Sequence, residues 1–127
     1  MKGGTYMNNC VFCNMYKVIL KNKSCYAIYD KYPVSEGHML VIPYKHTYDY
    51  FSLNQEGKKD IIDMIDIVKE HLDLNYNPDA YNIGINNGTE AGQTIPHVHV
   101  HIIPRYKGDI KDPTGGVRGV IPDKMKY

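Results

Sequence analysis

No stretch of the 127-residue chain approaches the run of about 20 apolar residues that crosses a bilayer, so a membrane span is not expected. The opening "MKGGTYMNNC" lacks the long apolar segment of a secretory signal, and Met7 offers an alternative start. Charge of one sign is missing as well. The formal net charge is +1, so no global field favours nucleic acid or an anionic membrane as partner. Arginine occurs only as Arg105 and Arg118, far behind lysine. Cysteine is scarce and odd in number: there are 3, and Cys10 and Cys13 form a Cys-x-x-Cys. That pattern argues against a secreted disulfide framework and for a reduced, cytoplasmic setting.

What remains is an ordinary globular composition, 43% hydrophobic and 23% charged, long enough for one domain with a real core. Residues 1–9 are expected to be a flexible leader and residues 10–127 one domain whose tail, from about residue 105, is irregular. "MYKVIL" (15–20) and "SCYAIYD" (24–30) flank "KNK" as a hairpin-like pair, and "HMLVIP" (38–43) is a third strand. Ile61, Met64, Ile65, Val68 and Leu72 recur with helical spacing, which predicts one main helix. Ser52 or Asn54 can cap its start, and "NYNPD" (75–79) ends it. "AYNIGIN" (80–86) alternates as a fourth strand, and the loop 87–96 leads into a fifth. Most links between strands are too short for parallel crossovers. The expected fold is α+β, a mainly antiparallel sheet of about five strands with one helix.

The fifth strand raises the chemical question. "IPHVHVHIIP" (95–104) places His97, His99 and His101 at alternate positions, in a chain with 6 histidines in all. Alternate strand residues share a face, so the three imidazoles oppose Val98, Val100 and Ile102. A single ion bound by all three is disfavoured by reach, since the outer pair are roughly 13 Å apart along a strand. Unrelated half-exposed histidines are a weak explanation for so regular a row. Nucleophilic or acid–base chemistry fits better, because imidazole titrates near pH 6.5 and carries both a donor and a lone pair.

"HVHVHII" (97–103), preceded by "NNGTEAGQTIP" (86–96), resembles the signature of the histidine triad family of nucleotide hydrolases and transferases. "YDKYPVSEGHMLVIPYKH" (29–46) is similar to that family's nucleotide-binding hairpin and strand, and "DPTGGVRGVIPDK" (112–124) to the tail of a prokaryotic branch. The resemblance implies that His99 attacks the α-phosphorus and that His101 contacts the phosphate and assists the leaving group. His97 would lie behind the nucleophile. It also implies Asp30 as the acceptor for ribose hydroxyls, His38 as a pocket histidine, and Asn86, Gly92 and Thr94 as phosphate-binding residues, beside which Gln93 offers a further side-chain donor. Gly88 and Gly92 would let backbone amides form a concave anion nest.

Part of the family binds zinc, and the matching positions here are Cys10, Cys13, His46 and His97. A closed four-ligand site of that kind is structural. The implied activity is release of a nucleoside monophosphate from dinucleoside polyphosphates, with Arg118 or lysines of the tail meeting the polyphosphate and magnesium accompanying it. Nucleoside phosphoramidate hydrolysis, nucleotidyl transfer, and nucleotide sensing with little turnover are alternatives, as is hydrolysis by zinc-activated water. A homodimer is implied by the same resemblance.

Overall fold

Short runs with alternating polarity cannot bury both faces alone, and here five of them pair into one sheet. The computed structural model describes residues 9–15 and 17–127. Apart from Asn9, the expected leader lies outside the described residues. The strands are β1 (Leu20–Lys21), β2 (Cys25–Tyr29), β3 (Met39–Pro43), β4 (Ala80–Ile85) and β5 (Val100–Arg105). Their order across the sheet is β1-β2-β3-β5-β4, and every neighbouring pair is antiparallel. The expected α+β class holds. β5 sits between β3 and β4, which is what makes the histidine segment central rather than an edge.

Two boundaries differ from the sequence expectation. The run 15–20 contributes only Leu20 to the strand Leu20–Lys21, because Met15 and Val18 pack on the second sheet face against Tyr26, Ile28, Leu40 and Ile42. The fifth strand starts at Val100, not at His97. Before it, the His97 amide donates to the Ile95 carbonyl at 2.8 Å and the Val98 amide to the Thr47 carbonyl at 2.8 Å, so this stretch is tied to a loop rather than to a ladder.

The helix α1 (Gln55–Tyr76) begins where Asn54 Oδ1 accepts the Gly57 amide at 2.7 Å, so Asn54 is the cap. Ser52 belongs instead to a preceding 3-10 turn capped by Asp49. Asn77 ends the helix in the left-handed region, φ 50°, and its amide reaches the carbonyls of Leu72 and Asp73 at 3.2 Å each. Pro78 cannot extend it.

Strand alternation divides the interior in two. Ala27, Met39, Val41, Val98, Val100 and Ile102 face the helix and pack on Ile61, Met64, Val68 and Leu72. The opposite face carries Tyr26, Ile28, Leu40 and Ile42 beneath the 3-10 turn Val11–Asn14. After Arg105 the chain forms only two short 3-10 helices, Gly116–Val120 and Pro122–Lys124. Among the described residues no helix is long and apolar enough to cross a membrane.

Leu72 is fully buried while Leu74 is 86% exposed. Leu72→Ala is therefore expected to cost about 2–5 kcal/mol in urea unfolding, through lost transfer energy and a cavity. Leu74→Ala should shift stability by less than about 0.5 kcal/mol.

Candidate active site

The second face of the sheet holds the histidines, and their proton positions follow from their neighbours. His99 is buried, and its Nδ1 lies 2.9 Å from the carbonyl oxygen of His97. A carbonyl can only accept, so Nδ1 carries the proton and Nε2 keeps its lone pair. His97 is fully buried, with Nε2 2.8 Å from the Pro43 carbonyl. Its proton is thus on Nε2, and the Nδ1 lone pair faces Cys10 Sγ at 3.4 Å and Cys13 Sγ at 3.7 Å.

His38 fixes the third ring. The Val34 amide donates to its Nδ1 at 3.1 Å, which places the proton on Nε2. That Nε2–H donates to His101 Nδ1 at 3.0 Å, with Asp30 Oδ2 3.4 Å away. His101 therefore accepts on Nδ1 and carries its own proton on Nε2. Asp30 holds its turn by accepting the Tyr32 amide on Oδ1 at 2.9 Å. The rings of His99 and His101 meet with centroids 5.1 Å apart. Burial holds His97 and His101 down, each at about 4, and lowers His38 as well. For His101 the neighbouring histidines add to this, so the tautomers of His38, His97 and His101 are neutral forms near neutral pH.

Two groups of ligand-type atoms converge. Cys10, Cys13, His46 and His97 present one atom each, all within 4.8 Å of one another, and His46 Nδ1 is 3.3 Å from Cys13 Sγ. Tetrahedral zinc with two sulfurs and two nitrogens requires ligand separations of about 3.3–3.8 Å, which these sulfur–nitrogen distances match. Burial raises the Cys10 thiol, so outside a metal complex it keeps its proton. Asp30, His38 and His101 also converge. Here the donor chemistry fails, since the proton that Val34 forces onto His38 Nε2 occupies the position a metal would need. The first group suits zinc and the second suits a polar ligand.

The loop before the strand departs from the expected open nest. Gly88 and Gly92 do adopt positive φ, 102° and 98°. The amides of Ala91 and Gln93, however, donate back to the Gly88 carbonyl, and that of Gly92 to Thr89. Gln93 is buried, its Oε1 accepting the Gly88 amide at 2.8 Å and its Nε2 donating to the carbonyls of Tyr48 and Ile95 at 2.7 and 3.0 Å. Its amide braces the loop from within. Thr94 is exposed, and half-buried Asn86 lines a cleft beside His101. Arg118 is turned away: its guanidinium donates to the carbonyls of Met125 and Lys124 at 3.1 and 2.8 Å and lies over the Tyr127 ring. These bonds use two of its five N–H donors and tie the exposed side chain to the tail.

Sequence reasoning missed three contributors. Phe12 meets the rings of His97 and His99 edge-on, at 5.8 and 5.0 Å between centroids, and Tyr26 O–H holds its carbonyl. Pro43 and Val34 act through backbone groups, for which no side-chain signal exists. Phe12 could have been suspected, since any residue between two converging cysteines is carried to the same place.

A histidine that titrates at about 4 when folded and at 6.5 when unfolded binds protons preferentially in the unfolded chain between those values. The contribution of His101 is complete above about pH 6.5 and disappears as pH falls through about 4. Urea unfolding across pH 7 to 4 should show a decline that is shallower in His101→Asn; parallel curves would contradict the assignment.

With this geometry in place, relatives are informative. A HIT domain profile matches residues 13–108, well over half of the chain. A HIT-like protein of Mycoplasma pneumoniae is 34% identical over 106 residues, 79% of this chain and 74% of its own. The bis(5'-adenosyl)-triphosphatase of Saccharomyces cerevisiae is 36% identical over 112 residues, which cover 87% of this chain but only 52% of the yeast protein. The crystal structure of a Zn-bound histidine triad family protein from Mycobacterium smegmatis superposes with TM-score 0.73 and 31% identity, over 83% of this chain and 84% of that one. Fold, histidine row and sequence likeness agree: the chain belongs to the HIT, or histidine triad, family.

Proposed function

We propose that the protein is a nucleotide hydrolase that cleaves at the α-phosphate through a nucleotidyl-imidazole on His99 and releases a nucleoside monophosphate. The observation that carries this reading is the bond from His99 Nδ1–H to the His97 carbonyl, which presents Nε2 as an unprotonated nucleophile. In the first step Nε2 bonds to phosphorus while the bond to the leaving group breaks and its electron pair departs with that group. The Nδ1–H then bears the positive charge of the substituted ring, and the His97 carbonyl stabilises it. His101 Nε2–H donates a hydrogen bond to the phosphate or to the departing atom. In the second step water attacks phosphorus and loses a proton to solvent, the phosphorus–nitrogen bond breaks with its electron pair returning to Nε2, and neutral His99 is restored. Asp30 accepts from ribose hydroxyls, His38 holds His101 in its tautomer, and Asn86, Gly92 and Thr94 flank the phosphate, with Gln93 shaping their loop.

Dinucleoside polyphosphates enter as candidate substrates through the likeness to the yeast triphosphatase, and magnesium would accompany such a substrate. Phosphoramidates, nucleotidyl transfer and a sensing role with little turnover are the competing readings. Zinc on Cys10, Cys13, His46 and His97 belongs to this proposal. When bound, it supplies a crosslink that anchors the turn Val11–Asn14 to the histidine segment, and with four protein ligands it offers no position for a reacting water. We further infer a homodimer in the cytoplasm.

Rapidly quenched reactions with labelled dinucleoside polyphosphate and phosphoramidate should yield a nucleotide adduct on His99 by mass spectrometry. His99→Asn should lower monophosphate release at least roughly a thousandfold. Binding without release in the parent protein would favour the sensing role. Elemental analysis should find about one zinc per chain, largely lost in Cys13→Ser together with stability toward urea. A folded, metal-free protein that has lost only activity would point to zinc-activated water instead.

A further inference from the structure

One proton, on His38 Nε2, has two acceptors in reach. The Val34 amide occupies His38 Nδ1 at 3.1 Å, so the neutral ring has no second proton to offer. His101 Nδ1 lies 3.0 Å from Nε2, and Asp30 Oδ2 lies 3.4 Å from it. His38 is buried, which shuts the shared proton off from bulk water.

The frame around these groups is tied on both sides. The Asp30 amide donates to the His38 carbonyl at 2.9 Å and the His38 amide to the Ser35 carbonyl at 3.2 Å, closing the turn between β2 and β3. Ser35 O–H donates to the Pro104 carbonyl at 2.6 Å, and Tyr106 O–H to the Glu36 carbonyl at 2.7 Å. Both bonds pin the turn to the end of β5, the strand that carries His101. With the separations held, a ligand acts on the proton by changing the strength of each acceptor.

The acceptors differ in kind. Asp30 Oδ1 already accepts the Tyr32 amide at 2.9 Å, while Oδ2 faces His38 Nε2 and, at 3.9 Å, His101 Nδ1. The Asp30 side chain is 16% exposed, so solvent can reach it. A sugar seated there displaces that solvent. Ribose hydroxyls supply donors in return, whereas a sugar without them leaves a desolvated carboxylate oxygen short of partners, at a cost. Such an oxygen draws the His38 proton to itself, or favours the His101 tautomer with its proton on Nδ1. In either arrangement His101 loses the fixed Nε2–H that faces the phosphate.

We propose that His38 is a positioning residue that couples recognition of the sugar hydroxyls by Asp30 to the tautomer of His101. The inference rests on the site reading above and extends it from where the sugar binds to how its hydroxyls act on the chemical step. Discrimination against deoxygenated sugars then falls on the rate at saturation and not on affinity alone.

The test uses the full chain with isotope-labelled histidine, whose protonated and unprotonated ring nitrogens resonate apart in NMR spectra; His101→Asn assigns the His101 signals. Saturating adenosine monophosphate should leave His101 Nδ1 unprotonated and Nε2 protonated. Its 2',3'-dideoxy counterpart should move both nitrogens toward a mixture of tautomers. With the matching phosphoramidates, loss of the hydroxyls should lower the saturating single-turnover rate at least about tenfold. Asp30→Asn puts a neutral acceptor of similar shape in place of the carboxylate. There the His101 spectrum should be the same with both nucleotides, and the rate ratio below about threefold. Identical His101 spectra for the two nucleotides bound to the parent protein overturn the coupling, as does a penalty confined to affinity. A dideoxy nucleotide that fails to bind at all overturns it too, since the hydroxyls would then serve binding alone. Should Asp30→Asn fail to fold, the comparison on the parent decides by itself. The expected spectral difference without turnover of either phosphoramidate would sink the hydrolase reading and leave the coupling standing.

Discussion

A carbonyl oxygen can accept a hydrogen bond and never donate one, and on this constraint the site is built. The carbonyls of His97 and Pro43 decide which nitrogen of His99 and of His97 carries a proton. Each ring is left with one lone pair: on His99 it stays at Nε2, and on His97 it lies at Nδ1 among cysteine sulfurs. The amide of Val34 does the converse for His38, and through it sets His101. Backbone groups are rigid relative to side chains, so these assignments persist as long as the strands stay paired. Burial reinforces them by keeping His97 and His101 uncharged near neutral pH.

The two-faced sheet explains why such an arrangement is stable. One face is closed by α1 with an apolar interior, which leaves the other free to hold polar side chains at modest cost. There, a single segment serves two purposes. His97 joins the cluster of Cys10, Cys13 and His46, while His99 two residues on faces its triad neighbour, and Phe12 packs edge-on against both rings. Order in the N-terminal turn and order at the His99 ring are therefore coupled through a few direct contacts.

Sequence legibility was uneven for definite reasons. The helix was readable because Ile61, Met64, Val68 and Leu72 repeat at its period, and the imidazoles share a face because pleating enforces it. The start of β5 was misread because alternation predicts which face a side chain takes, but ladder pairing depends on a partner strand. The Val98 amide has the Thr47 carbonyl instead. The loop 87–96 looked like an open anion nest from its glycines, yet its own carbonyls and the Gln93 amide close it. Arg118 is anchored to the tail by carbonyls seven and six residues away, contacts that nothing in the local sequence announces.

By itself the sequence determined the fold class and the face shared by the three histidines, because periodicity and residue type suffice for these, while the four residues able to hold a metal came from its resemblance to a family. Tertiary structure alone decided which ring nitrogen bears each proton, which of two converging clusters suits a metal, and what lies beside His101. Those depend on backbone atoms from distant segments, Pro43, Val34 and Gly116–Val120, that carry no mark in the local sequence of the site they complete.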